Sequence, residues 1–214
     1  MLGGCATAPQ LPVPLTSGTL SATAGRVGVV MTALPKIDTE FPGASCLLCL
    51  VVASAANSTL TAHVRALPYE DLPDLKKQVA AALAKKGVDA LVIDGDFKID
   101  DLQKTTGEGP NLAPRDYRQL RDRYKVDRLI VVNMNVLGVW RNYSAYIPTG
   151  DPRATLRGQA FLVNLRTNVL EWYVPIDITR AATVWDQPPK FPDLTNAYFQ
   201  VIELGKDAVL KPLQ

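Results

Sequence analysis

Apolar residues recur along the chain with two different periods, and the switches between them predict a sheet flanked by helices. Arg26 to Leu34 (RVGVVMTAL) is a short continuous apolar run of the kind a buried strand needs, ended by Pro35. From Leu72 to Lys86 the apolar positions Leu72, Leu75, Val79, Ala82 and Leu83 fall at spacings of three and four, the mark of an amphipathic helix. Asp71 and Pro73 sit at its start, Lys85 and Lys86 in its last turn, and Gly87 just past its end. Val88 to Asp94 (VDALVID) then reads as a second strand.

The unit repeats. Pro114 opens a second helix with Tyr117, Leu120 and Tyr124 on one face, and Val126 to Val132 (VDRLIVV) follows as a strand. Strand–helix–strand–helix–strand implies right-handed crossovers within one sheet. The pattern then becomes that of a meander: Val136 to Ile147, Ala154 to Leu165 and Val169 to Ile178 read as long strands. Asn168, in the turn between the last two, is the residue after glycine best able to take a left-handed conformation. Asp193 is expected to cap a final helix towards Leu210, with Leu194, Ala197, Tyr198, Val201, Ile202 and Ala208 on its buried face.

The meander carries a resemblance. Leu162 to Trp172 (LVNLRTNVLEW) resembles the hairpin of envelope lipoproteins related to the curli secretion protein CsgG, which also include PelC-like and LpoB-like proteins. Their pattern is an apolar pair, Asp, two residues, Thr-Gly, then an apolar pair and Trp. Asn164 stands here for the usual Asp and Asn168 for the usual Gly. VDRLIVVNMN is similar to the strand before that hairpin. The resemblance implies an α+β fold like the amino-terminal domain of TolB: an α/β sandwich with a mixed sheet in β-α-β-α-β-β-β order and a C-terminal helix. It also implies assembly or docking rather than catalysis, with no catalytic residues to carry over.

One segment falls outside that plan, an insertion over residues 41–66. Within it Ala44 to Ala56 (ASCLLCLVVASAA) has no charge. As a helix it puts Leu47, Leu50 and Val51 on one face, with Cys46, Cys49, Ala53 and Ala56 beside them. Its roughly 20 Å is too short to span a membrane. The segment packs on its own domain, meets another subunit or partner, or lies in a membrane surface; Leu47, Leu48, Leu50, Val51 and Val52 are the expected contact residues. Cys46 and Cys49 form a C-x-x-C with three readings. A structural disulfide or buried thiol pair suits an oxidising compartment. A redox pair needs a helix start after a strand, which Pro42-Gly43 would introduce, and an accessible sulfur, which the flanking leucines argue against. Zinc would need His63 and a carboxylate such as Glu70 or Asp71.

The amino terminus places the protein. Leu2-Gly3-Gly4-Cys5 has the lipobox pattern, which makes Cys5 the expected site of a covalent lipid, the only prosthetic group expected. Residues 1–25 are read as that remnant and a flexible tether rich in Ala, Pro, Thr, Ser and Gly, and residues 26–214 as one domain. Ala6 after the cysteine resembles the signal for outer-membrane sorting, so the expected place is the outer membrane, facing the periplasm. A balance of 23 basic against 21 acidic residues and the absence of a basic stripe exclude nucleic-acid binding by bulk charge. With His63 the only histidine, a multi-histidine metal site is excluded. Asp94, Asp96, Asp100 and Asp101 lack EF-hand spacing and read as solvated loop carboxylates. The expected function is that of a non-enzymatic lipoprotein, homo-oligomeric or docked to envelope proteins. The alternative is a periplasmic thiol-redox protein using Cys46 and Cys49.

Overall fold

The first apolar run forms β1 (Val27–Met31), buried along its whole length, in a computed structural model that describes residues 9–214. After it come β2 (Asp38–Glu40), α1 (Leu47–Ala56), α2 (Ser58–Arg65), α3 (Leu75–Lys85) and β3 (Ala90–Val92). The second half holds α4 (Leu120–Tyr124), β4 (Arg128–Trp140), the small hairpin β5 (Tyr143–Ser144) and β6 (Ile147–Pro148), β7 (Arg153–Asn164), β8 (Leu170–Ala181) and α5 (Pro192–Leu210). The main sheet runs β3-β1-β4-β7-β8, with β2 added on β4. β1 and β2 share one edge of β4, both parallel to it, while β7 and β8 continue antiparallel. The fold is α+β with a mixed sheet and a C-terminal helix, in the expected element order.

Two apolar layers hold it. On one face Val27, Val29, Ile130, Val132, Leu156 and Leu162 meet α3 and α5 through Leu75, Val79, Leu83, Tyr198, Val201 and Ile202. On the other, Val30, Leu129, Val131, Phe161 and Val163 meet Phe97, Tyr117 and Leu120 from the chain between β3 and β4. Burying a leucine-sized side chain contributes about 1.5–3 kcal/mol, so each layer is a major source of stability.

Three elements differ from the sequence reading. Val126 to Val132 and the first part of Val136 to Ile147 are one strand that ends at Trp140, and Tyr143 to Ile147 turns away into the β5–β6 hairpin. β4 runs through Asn133 and Asn135, whose polarity looks like an interruption, and the irregularity is absorbed as a bulge between Met134 and Val136 against β7. The second helix is reduced to α4, because the Tyr117 N–H is donated to the Asn168 Oδ1 (2.9 Å) and the Asp116 carboxylate accepts from the Arg118 N–H and guanidinium. Tertiary and turn bonds there replace helical ones. Asp193 does not cap α5; the cap position is Phe191, in a left-handed conformation, Pro192 opens the helix, and Asp193 accepts the Val184 N–H instead (3.1 Å).

Asn168 does adopt the left-handed conformation (φ 61°), and it does more than turn the chain. Its buried amide also donates to the Thr105 Oγ1 (3.0 Å) and the Arg115 carbonyl (2.9 Å), tying the β7–β8 turn to the loop that covers the second layer. Asn164 acts as the usual aspartate would, accepting the Arg166 N–H at 3.0 Å.

Candidate functional site: the apolar helix and its disulfide

α1 hangs on the sheet end marked by Trp140, Arg153 and Ala181. The chain leaves β2 through Phe41-Pro42-Gly43. The Pro42 carbonyl accepts the Tyr143 N–H (2.8 Å), and Gly43 (φ 88°) lies so close to the Tyr143 carbonyl that a Cβ has no room. Only a narrow ridge of the helix is buried. Cys49 and Ala53 pack against Ala44, Tyr143 and Phe41, with the Phe41 and Tyr143 rings edge-on at 5.7 Å. At the far end Asn57 closes the joint with α2. Its amide donates to the Ala53 carbonyl and the Tyr143 hydroxyl (both 2.7 Å), and its oxygen accepts from Arg141 (2.8 Å). The Arg141 guanidinium also covers the Trp185 ring at 4.5 Å.

The rest of α1 faces outward. Leu47 is 81% exposed, Leu48 63%, Val51 56%, Leu50 45% and Val52 41%. At 100° per residue, Leu47 and Val51 lie opposite the Cys49–Ala53 ridge, with Leu50 and Leu48 on its flanks. The predicted contact residues therefore gather on one surface. Together they expose on the order of several hundred Å² of apolar area, the size at which a patch on a monomer marks an interaction site. Tyr146 and Ile147, at the tip of the β5–β6 hairpin whose Tyr143 supports the ridge, are exposed as well.

Cys46 and Cys49 are joined as a disulfide. Cys46 caps α1, and its sulfur accepts the Cys49 N–H at 2.9 Å. The expectation that flanking leucines bury both sulfurs holds only for Cys49, which is 3% exposed; Cys46 is exposed. The reason is the packing direction. Small residues make the ridge, so the leucines beside the motif point to solvent and leave Cys46 exposed with them.

α2 leaves α1 at 75°. A cleft of about 440 Å³ opens between β2 and the inside of this elbow, lined by Phe41, Leu50, Ala62 and the hydroxyl residues Ser54, Ser58 and Thr61. Arg65 holds Asp38 beside it through two bonds of 2.8 and 3.0 Å. Burial pushes the Asp38 pKa up, but Arg65 and the Thr39 N–H outweigh it and leave the carboxyl below its ordinary value. Among the described residues no single helix is long and apolar enough to cross a membrane.

The residues of the zinc reading are not brought together. His63 bonds the Thr195 hydroxyl at 2.7 Å and burial lowers its pKa, Asp71 is held by Lys206 at 2.6 Å, and both cysteines are bridged. Asp94, Asp96, Asp100 and Asp101 are exposed, and Asp100 pairs with Arg115 at 2.7 Å. Cys5 lies outside the described residues. Part of the segment expected as a tether runs along the domain: Val13 pairs with Tyr173 on β8, Leu20 is buried, and Gln10 bonds Asn111 at 3.2 Å. Leu112 pairs in turn with Val169, so the segment arrives at the β7–β8 turn. This is the opposite end of the sheet from α1, about 40 Å away along β4 at the usual rise per residue.

No protein-family model matches the chain, and no curated protein does. Among solved structures it is similar to the PelC dodecamer from Paraburkholderia phytofirmans (11% identity, TM-score 0.39, covering 97% of this chain and 96% of that one). It is likewise similar to protein XCC0632 from Xanthomonas campestris (14%, TM-score 0.40, covering 96% and 95%). A third is the lipoprotein GNA1162 from Neisseria meningitidis (14%, TM-score 0.29, covering 84% and 98%).

Proposed function

We propose that this protein is a lipid-anchored docking component of the bacterial envelope. Cys5 holds it on the outer membrane from the periplasmic side, and the outward face of α1 engages an apolar surface of another polypeptide. The observation that carries the reading is the exposure of Leu47, Leu48, Leu50, Val51 and Val52 on a helix that packs through its small-residue ridge. Full burial of such a side chain contributes about 1.5–3 kcal/mol, and the part these residues forgo by their exposure is what engagement by a partner recovers. Position supports a protein partner over the membrane. The amino-terminal segment reaches the domain at one end of the sheet and α1 sits at the other, so a protein tethered through Cys5 presents α1 away from the bilayer. α1 also has no basic residue in its last turn, unlike helices that lie on anionic lipid surfaces.

The test is the size of the full-length protein gently extracted from native membranes. Wild type is expected in a complex larger than the monomer. Leu47→Asp and Leu50→Asp should each reduce it to the monomer with an unchanged circular dichroism spectrum, and Cys5→Ser should release the protein to the soluble fraction. A monomeric wild type, or aspartate variants that keep the complex, would overturn the reading.

A further inference from the structure

The docking face and the disulfide are one continuous feature, since Cys46 caps the helix whose exposed side chains begin at Leu47. We propose that Cys46 and Cys49 form a thiol–disulfide exchange site, and that its substrate is an apolar polypeptide segment bearing a pair of cysteine thiols. The inference rests on the docking reading and adds the chemistry that the docked polypeptide must carry. A second copy of this chain does not meet that requirement, because its described cysteines are themselves bridged.

Three features support exchange over a purely structural bridge. The two sulfurs are unequal: Cys46 is exposed, whereas Cys49 is buried against Ala44, Ala53, Tyr143 and Phe41. An incoming thiolate therefore approaches from the Cys46 side of the bridge. The position of Cys46 also favours its departure as a thiolate, because it stands at the amino-terminal end of a ten-residue helix with no acidic residue in the first turn and accepts the Cys49 N–H at 2.9 Å. Finally, no charged residue occurs between Ala44 and Ala62, so the helix that carries the bridge offers a docked segment apolar and small neutral side chains.

The exchange is balanced without an outside oxidant. A thiol of the docked segment gives its proton to water and attacks the Cys46 sulfur. The Cys46–Cys49 bond breaks as the new S–S bond forms, and Cys49 leaves as a thiolate that takes a proton from water. The second thiol of the segment, likewise deprotonated, then attacks its own sulfur in the mixed disulfide, and Cys46 leaves and is protonated. The segment has lost two electrons and two protons, and the Cys46/Cys49 pair has gained both.

The experiment mixes the oxidised full-length protein with a synthetic leucine- and valine-rich peptide holding two reduced cysteines, and follows peptide disulfide and protein thiols together. A lysine- and glutamate-rich dithiol peptide and dithiothreitol serve as comparisons. The apolar peptide is expected to be oxidised one for one, faster than the charged peptide. Leu47→Lys with Leu48→Lys is expected to slow the apolar peptide by about tenfold or more, from the lost burial of two leucines. Both positions are exposed, so the variant should keep the circular dichroism spectrum of the wild type and still oxidise dithiothreitol. Cys49→Ser should trap a mixed disulfide when offered the oxidised peptide, and Cys46→Ser should not. A bridge inert to the apolar peptide overturns the inference, as does equal oxidation of the two peptides or an apolar-peptide rate that the lysine substitutions leave unchanged. Loss of exchange in a protein that still forms its complex sinks this inference alone, whereas a monomeric wild type sinks the docking reading.

Discussion

The buried side chain of Asn168 ties the β7–β8 turn to the loop over the second apolar layer, and replacing it measures what those bonds contribute. Asn168→Gly keeps the left-handed turn at no steric cost but removes a side chain that is 1% exposed. It leaves the Tyr117 N–H, the Thr105 hydroxyl and the Arg115 carbonyl without their partner. A net hydrogen bond contributes about 0.5–1.5 kcal/mol, and a buried group left unsatisfied costs about 1–3 kcal/mol. Water reaching Thr105 and Arg115 offsets part of the loss, so Asn168→Gly should destabilise the domain by about 2–4 kcal/mol. Asn168→Ala should cost about 1–2 kcal/mol more, because a Cβ is disfavoured in the left-handed region. Urea unfolding followed by circular dichroism gives both values, with the midpoint moving at constant slope. A glycine variant within about 0.5 kcal/mol of wild type would refute the reasoning, since only the turn conformation would then matter.

Further expectations concern charge. Arg128 pairs with Glu171 at 2.6 Å, both about one-fifth exposed, and also donates to the Ala24 carbonyl, so Arg128→Ala should cost about 1–3 kcal/mol in the same assay; no change would show the pair to be idle. The carboxyls of Asp71, Asp116 and Asp127 lie below their ordinary range, held there chiefly by Lys206, Arg118 and Arg121 respectively. For a depressed carboxyl the stabilisation is present above the unfolded-state pKa, near 3.9, and is lost as pH falls through the folded value. The urea midpoint should therefore be flat from pH 7 to about 5 and fall steadily below about 4, and a midpoint that rises on acidification would contradict these pairings.

How much of this was legible in the sequence depended on whether burial shows as a repeating pattern. α3 and the buried face of α5 were legible because their apolar spacing is regular, and Asn168 because turn chemistry is local. The unity of β4 was hidden by Asn133 and Asn135, since a strand that bulges breaks its own alternation. α4 was over-read because the loss of its first turn to the Asn168 side chain is a contact between residues far apart in sequence. The membership of the exposed apolar surface is readable from the run itself, but its direction is not. A helix of leucine, valine and small residues packs either way round, and only the Tyr143 and Phe41 side chains from elsewhere in the chain select the Cys49–Ala53 ridge. The same selection exposes Cys46, which composition alone argues against.

A photoreactive phenylalanine analogue reports whether another polypeptide covers the outward face of α1 in the envelope. Placed at Leu48 of the full-length protein in intact cells, it should give on irradiation one discrete adduct of defined mass, and the same group at the exposed Lys85 should give none. No adduct from Leu48, a lipid adduct there, or the same adducts from both positions would contradict the account.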